Sequence, residues 1–139
     1  MFVFDTNVLS EVMKDTPHPG VAAWLQGCRT EAMFTTAISH SEIFYGVRLL
    51  ADGGKRQKLE RAARDMFAQD FSDRILAFDS AAADAHADIR IARKRSGTPI
   101  STEDAMIAAI AKVHGATVIT RDANGFAGCG VPVINPWEA

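Results

Sequence analysis

Phe2-Val3-Phe4-Asp5-Thr6-Asn7-Val8-Leu9-Ser10-Glu11, residues 2–11, sets the reading of the whole chain. Three β-prone apolar residues pass without a loop into Asp-Thr-Asn, residue types that open helices. Val8, Leu9, Val12 and Met13 then recur at helical spacing until Pro17 and Pro19 interrupt them. A strand handing over directly to a helix is the building unit of an α/β sheet. In such sheets the ligand crevice lies beyond the carboxyl ends of the strands, which is where Asp5 stands.

The same switch of period repeats along the chain. Val21, Ala22, Trp24 and Leu25 mark a helix stopping near Gly27, and residues 33–36 read as the next strand. Ile43, Phe44, Val47, Leu49 and Leu50 mark a helix ending at Gly53-Gly54, and Leu59, Ala62, Ala63, Met66 and Phe67 a further one with one buried face. Residues 75–78 are a short strand, with Asp79-Ser80 as the cap of an alanine-rich helix over 81–95, which Ser96-Gly97-Thr98-Pro99 ends. A helix over about 101–114 stops at Gly115, and 117–120 and 131–134 are the last strands. Five strands interleaved with helices predict an α/β fold, a mostly parallel sheet with helices on both faces. No internal repeat or linker divides the chain, so residues 1–139 are expected to form one domain.

Composition narrows the function classes. Hydrophobic residues make up 47% and charged residues 23% of the 139, ordinary globular usage that excludes a disordered or fibrous chain. Fifteen basic against 17 acidic side chains give a net charge of −2, so any nucleic-acid contact must come from a local patch. The two cysteines, Cys28 and Cys129, form no C-x-x-C pair, which argues against a zinc knuckle or a redox dithiol. The first apolar run ends at Asp5, too early for a signal-peptide core, and no apolar stretch approaches a membrane span. A cytoplasmic protein with no membrane association is the expectation.

Four carboxylates stand where one element hands over to the next: Asp5 after the first strand, Glu42 opening the helix after the second, Asp104 opening the helix after Pro99, and Asp122 after the fourth strand. Gathered at one sheet edge they would repel, by roughly 4 kcal/mol for a pair 4 Å apart at a surface-like dielectric. A hard divalent cation relieves that repulsion, Mg²⁺ or Mn²⁺ rather than zinc, because the donors are all oxygen. Each acid also has a structural alternative. Ser39-His40-Ser41-Glu42 and Ser101-Thr102-Glu103-Asp104 have capping-box spacing, Asp5 can cap a helix, and Asp122 can make an Asx turn. Asp79 follows a strand too and is assigned to capping.

F-D-T-N-V-L-S-E, S-E-I-F-Y-G, P-I-S-T-E-D-A-M-I-A-A-I-A and V-I-T-R-D, in that order between Phe2 and Pro136, resemble the PIN domain, of the VapC/FitB-like toxin ribonuclease type found in bacterial type II toxin–antitoxin pairs. The resemblance implies an α/β/α sandwich whose acidic pocket holds Mg²⁺ or Mn²⁺ and hydrolyses RNA as an endonuclease. It carries the catalytic and metal-holding acids onto Asp5, Glu42, Asp104 and Asp122, with Thr6, Asn7 and Thr120 as supporting polar residues. Glu103, beside Asp104, is secondary. One departure concerns the fourth acid: many relatives have T-R-N and then an acid before Phe, whereas here Thr120-Arg121-Asp122 leads into Ala123-Asn124-Gly125-Phe126. The resemblance also implies a homodimer, a higher toxin–antitoxin assembly, and a cognate antitoxin that blocks the acidic pocket with a basic side chain. The apolar helices around 9–13 and 43–50 are the candidate antitoxin groove, with ordinary core as their alternative.

Arg48, Lys55, Arg56, Lys58, Arg61 and Arg64 cluster in one helical hairpin, and Arg90, Arg93, Lys94 and Arg95 end another helix. Both groups read first as solvated helix faces, and only given a nuclease site as contacts for phosphate. Phe44, Tyr45 and Trp24 read as core or interface rather than base-stacking residues. Two rival functions remain: an Mg²⁺-dependent phosphatase or phosphotransferase with Asp5 as nucleophile, and a non-catalytic binding scaffold. The first would want a carboxylate where Asn7 stands, and the second a missing acid, whereas all four positions are filled.

Overall fold

The computed structural model describes residues 1–139. The elements are β1 (Phe2–Phe4), α1 (Thr6–Val12), α2 (Pro19–Gln26), β2 (Met33–Thr36), α3 (Ala37–Arg48), α4 (Gly54–Asp65), β3 (Ile75–Leu76), α5 (Ser80–Arg95), α6 (Thr102–Val113), β4 (Thr117–Ile119) and β5 (Val133–Ile134). All strand pairings are parallel, in the order β3-β2-β1-β4-β5. Order reverses at β1, with β2 on one side and β4 on the other. That switch point opens a crevice at the carboxyl ends of β1 and β4.

Strand alternation fills both faces of the sheet. Val3 and Val118 face one core with α5 and α6, where Ile89, Ile107, Ala108 and Phe126 pack. Phe4 and Ile119 face the other, with Val8, Leu9, Ile43, Phe67 and Phe71 from the α1–α4 side. The α/β/α sandwich and parallel five-stranded sheet expected from the sequence are therefore present. In α6, Ala105, Ala108, Ala109 and Ala111 are fully buried, since their small side chains admit close approach to both neighbours. Gly115, at φ 64°, reverses the chain after α6: the Gly115 N–H donates to the Lys112 carbonyl and the Ala116 N–H to the Ala111 carbonyl.

Several sequence expectations need correction. Glu42 does not open its helix. Thr36 is the N-cap, accepting from the Ser39 N–H at 3.1 Å, so α3 starts at Ala37 and Glu42 lies in its second turn. The capping box over residues 39–42 does not form because β2 passes straight into the helix. The edge strands, expected at 75–78 and 131–134, shrink to two residues each, and a π-helical turn at Met66–Asp70 extends α4. Leu49, 67% exposed, leaves the apolar face assigned to it, and Tyr45, equally exposed, is not part of the core. Arg93, read as part of a solvated helix end, is only 8% exposed.

Candidate functional site

The central side chain is Asp5, at the carboxyl end of β1 and 5% exposed. Its own N–H donates to the Ile119 carbonyl at 2.9 Å, continuing the β1–β4 ladder one residue past the strand. Asp5 Oδ1 accepts from the Thr6 N–H at 2.8 Å, so the helix-capping alternative holds for this oxygen. Oδ2 is used differently. It accepts from the Thr120 hydroxyl at 2.8 Å and from Asn7 Nδ2 at 3.3 Å. Asn7 also donates to Thr120 Oγ1 at 3.0 Å and accepts from the Arg121 N–H at 3.2 Å. The end of β4 is thereby fastened to the start of α1.

Glu42 reaches the same cleft from α3. Its Oε1 accepts from the Thr6 hydroxyl at 2.8 Å, and that hydroxyl also meets Ser39 Oγ at 3.0 Å. Ser39 is wholly buried, and its place at this site was missed in the sequence because Ser-x-x-Glu spacing suggested a cap. Asp104 stands in the first turn of α6, where its N–H donates to the Ser101 hydroxyl at 3.2 Å, so Ser101 is the true cap. Asp122 is exposed; its N–H donates to Thr120 Oγ1 at 3.0 Å, and its Oδ1 accepts from the Gly125 N–H at 3.1 Å, the expected Asx-type turn. Asp79 caps α5 through the Ala82 N–H at 2.9 Å and stays out of the cleft's bonding.

The acids feel one another. The Asp5 carboxyl is pushed up to about 6, chiefly by burial, with the charges of Asp104 and Glu42 adding to the rise and the bonds from Thr120 and Thr6 opposing it. Asp104 is also raised, first by burial and then by Asp122 and Glu103. No lysine or arginine forms an ion pair with Asp5, Glu42, Asp104 or Asp122, although six other ion pairs occur on the molecule. Carboxylates far apart in sequence are thus close enough to repel one another, and none of them is paired with a basic side chain. They do not form a closed cage: no three His, Cys, Asp or Glu side chains are drawn together tightly enough to clasp an ion. An all-oxygen donor set, held by hydroxyls and amides and short of positive charge, suits a hard divalent cation better than zinc.

Beside the acids lies a groove of about 350 Å³ between α1, α3 and α4, with Met13, Ile43, Val47, Leu50 and Leu59 as its apolar wall. Thr6 and Glu42 line it too, so groove and acidic cleft share residues, and Lys14 and Lys55 stand along it. The basic hairpin is partly neutralised: Arg48 and Arg64 both reach Glu60, Arg56 meets Asp52, and Lys58 meets Asp15, while Lys55 and Arg61 have no acidic partner. No helix is long and apolar enough to cross a membrane.

The family model for the PIN domain matches residues 2–128. The chain is 39% identical over 138 residues to the toxin FitB of Neisseria gonorrhoeae, covering 99% of both proteins. It is 36% identical to the VapC ribonuclease Y4jK of Sinorhizobium fredii, again over 99% of both. Among solved structures, that of FitAB bound to an IR36 DNA fragment contains a chain that superposes with a TM-score of 0.92 at 39% identity, covering 99% of this chain and 96% of that one. Sandwich topology, acids at the switch point and end-to-end similarity agree: the chain belongs to the PIN-domain family, in the company of the FitB and VapC proteins.

Proposed function

We propose that residues 1–139 act as one PIN domain in the cytoplasm, an endoribonuclease that is the toxin of a type II toxin–antitoxin pair and depends on Mg²⁺, with Mn²⁺ as the other candidate. One observation supports this reading: the charges of Glu42 and Asp104 act on the buried Asp5, that of Asp122 acts on Asp104, and none of the four acids has an ion-pair partner. Asp5, Glu42 and Asp104 hold the ion, and Asp122 assists. When bound, the cation supplies positive charge against the phosphate oxygens and lowers the pKa of a water for in-line attack. The protein's own share is placement. Thr120 and Asn7 hold Asp5 Oδ2, Thr6 holds Glu42 Oε1, and a carboxylate of the cluster takes the proton of the attacking water. Asn7, spent on bonds to Asp5 and Thr120, leaves no second carboxylate of the kind an aspartyl-phosphate mechanism would use.

The name of the VapC ribonuclease Y4jK supports RNA as substrate, and the FitAB complex supports a partner protein. The groove along α1, α3 and α4 suits an apolar segment of the antitoxin, whose basic side chain would meet Glu42 where groove and cleft join. A homodimer within a larger toxin–antitoxin assembly completes the proposal. Purified protein incubated with RNA and Mg²⁺ should cut it, EDTA should stop the cutting, and Asp5→Ala should be inactive while folded. Cleavage by Asp5→Ala at the wild-type rate overturns the assignment, as does phosphate release from small esters without any cutting of RNA.

A further inference from the structure

Arg93 lies near the end of α5, in a run that reads as helix-end charge, yet it is buried and no carboxylate pairs with it. Its guanidinium is spent on two loops. Nε donates to the Thr98 carbonyl at 2.6 Å and to Thr98 Oγ1 at 3.2 Å, in the loop before α6. Nη1 donates to the Gly125 carbonyl at 2.8 Å and the Ala127 carbonyl at 2.9 Å, in the loop after β4, and meets Cys129 Sγ at 3.5 Å. A buried arginine bound to carbonyls fixes a backbone path rather than balancing a charge, and its planar fork reaches two directions at once, as a lysine cannot. The first loop leads into Ser101 and Asp104, and the second carries Asp122.

Gly125 completes the connection. Its carbonyl is held by Arg93 while its N–H holds Asp122 Oδ1 at 3.1 Å. The Asp122 carboxylate lies against this residue: a Cβ at position 125 would collide with Oδ2 and stand 2.7 Å from Cγ. The glycine is needed for that contact, since its backbone is not among those at positive φ. Resting on the proposed nuclease reading, we infer that Arg93 and Gly125 are positioning residues, with Arg93 locking the Asn124–Phe126 turn and Gly125 admitting the Asp122 carboxylate toward Asp104.

Crystal structures of the wild type and of Gly125→Ala, both without metal, test the geometry. The variant should show the Asp122 carboxylate swung off residue 125 and the remaining fold unchanged; an unmoved carboxylate overturns the inference. Mn²⁺ binding, followed by the electron paramagnetic resonance of free Mn²⁺, tests the consequence. Gly125→Ala and Arg93→Met should each weaken binding about 10-fold, the low end for residues that orient a ligand. Arg93→Lys should recover the fold but not the affinity. Gly125→Ala added to Asp122→Ala should cost nothing more, whereas a merely structural effect would add. Wild-type affinity in Gly125→Ala, or a full extra loss in the double variant, refutes the clamp. A wild type that binds no Mn²⁺ and cuts no RNA refutes the nuclease reading instead, and the crystal structures still decide the geometry.

Discussion

Replacing Asp5 by asparagine should make the metal-free protein progressively more stable than the wild type as pH rises. In the folded chain the Asp5 carboxyl titrates near 6, against 3.8 for the ordinary group, chiefly because it is buried. The folded state therefore holds this proton more tightly than the unfolded one. Asp5 imposes no penalty below about pH 3.8, and its cost grows until pH passes 6. A rise from 3.8 to about 6, at about 1.36 kcal/mol for each pH unit, amounts to roughly 3 kcal/mol. Asparagine never ionises, so it escapes that cost. It keeps one acceptor oxygen, and losing a bond from Thr6, Thr120 or Asn7 subtracts about 1 kcal/mol at every pH without altering the slope. Urea unfolding in EDTA at pH 4, 5, 6 and 7.5 reads the difference directly. Because the unfolded carboxyl is already half ionised at pH 4, the gap between variant and wild type should move by about 2.4 kcal/mol in favour of the variant across that range, equivalent to about 8 °C in melting temperature for a chain of this size. Parallel curves, with a gap constant from pH 4 to 7.5, would refute the claim that a buried, uncompensated carboxylate sits at the centre of the site.

Other outcomes follow from the same cleft. Millimolar Mg²⁺ should raise the melting temperature of the wild type, by about 2.7 kcal/mol in stability at a hundredfold excess over Kd, and Asp104→Asn should shrink that gain. A wild-type melt indifferent to both Mg²⁺ and Mn²⁺ would count against the site. Thr120→Val removes the hydroxyl that donates to Asp5 Oδ2 and accepts from the Asp122 N–H, both at a fully buried position. Denaturation at pH 7.5 should show a loss of about 1–3 kcal/mol, smaller at pH 4, where Asp5 is protonated. A loss that does not depend on pH would mean that Thr120 serves packing rather than the carboxylate.

Much of the site was legible where its cause is local. Asp5 at a strand end, Ser101 capping the helix of Asp104, the Asx turn of Asp122 and the capping role of Asp79 each depend on bonds within three residues. Glu42 was singled out as a candidate acid but placed wrongly in its helix, because Thr36 and Ser39 offered equally good capping residues and only the course of β2 chose between them. Arg93 was misread because its acceptors, Gly125 and Ala127, lie 32 and 34 residues away, and carbonyl partners leave no mark in side-chain composition. Tyr45 falls in an apolar stretch of sequence yet is exposed, since helical spacing does not say which neighbour will cover a face.

From the sequence alone came the alternation of strand and helix, the parallel sheet with two buried faces, and the acids at the element ends; these rest on periodicity and on local backbone preferences. Tertiary structure decided which strands are neighbours. Placing β1 between β2 and β4 sets Thr120 on Asp5 across 115 residues of chain. It also takes Asp5 out of water and leaves the acids without an ion-pair partner. Desolvation and charge balance belong to the packed surroundings of a residue, and no segment of sequence carries them by itself.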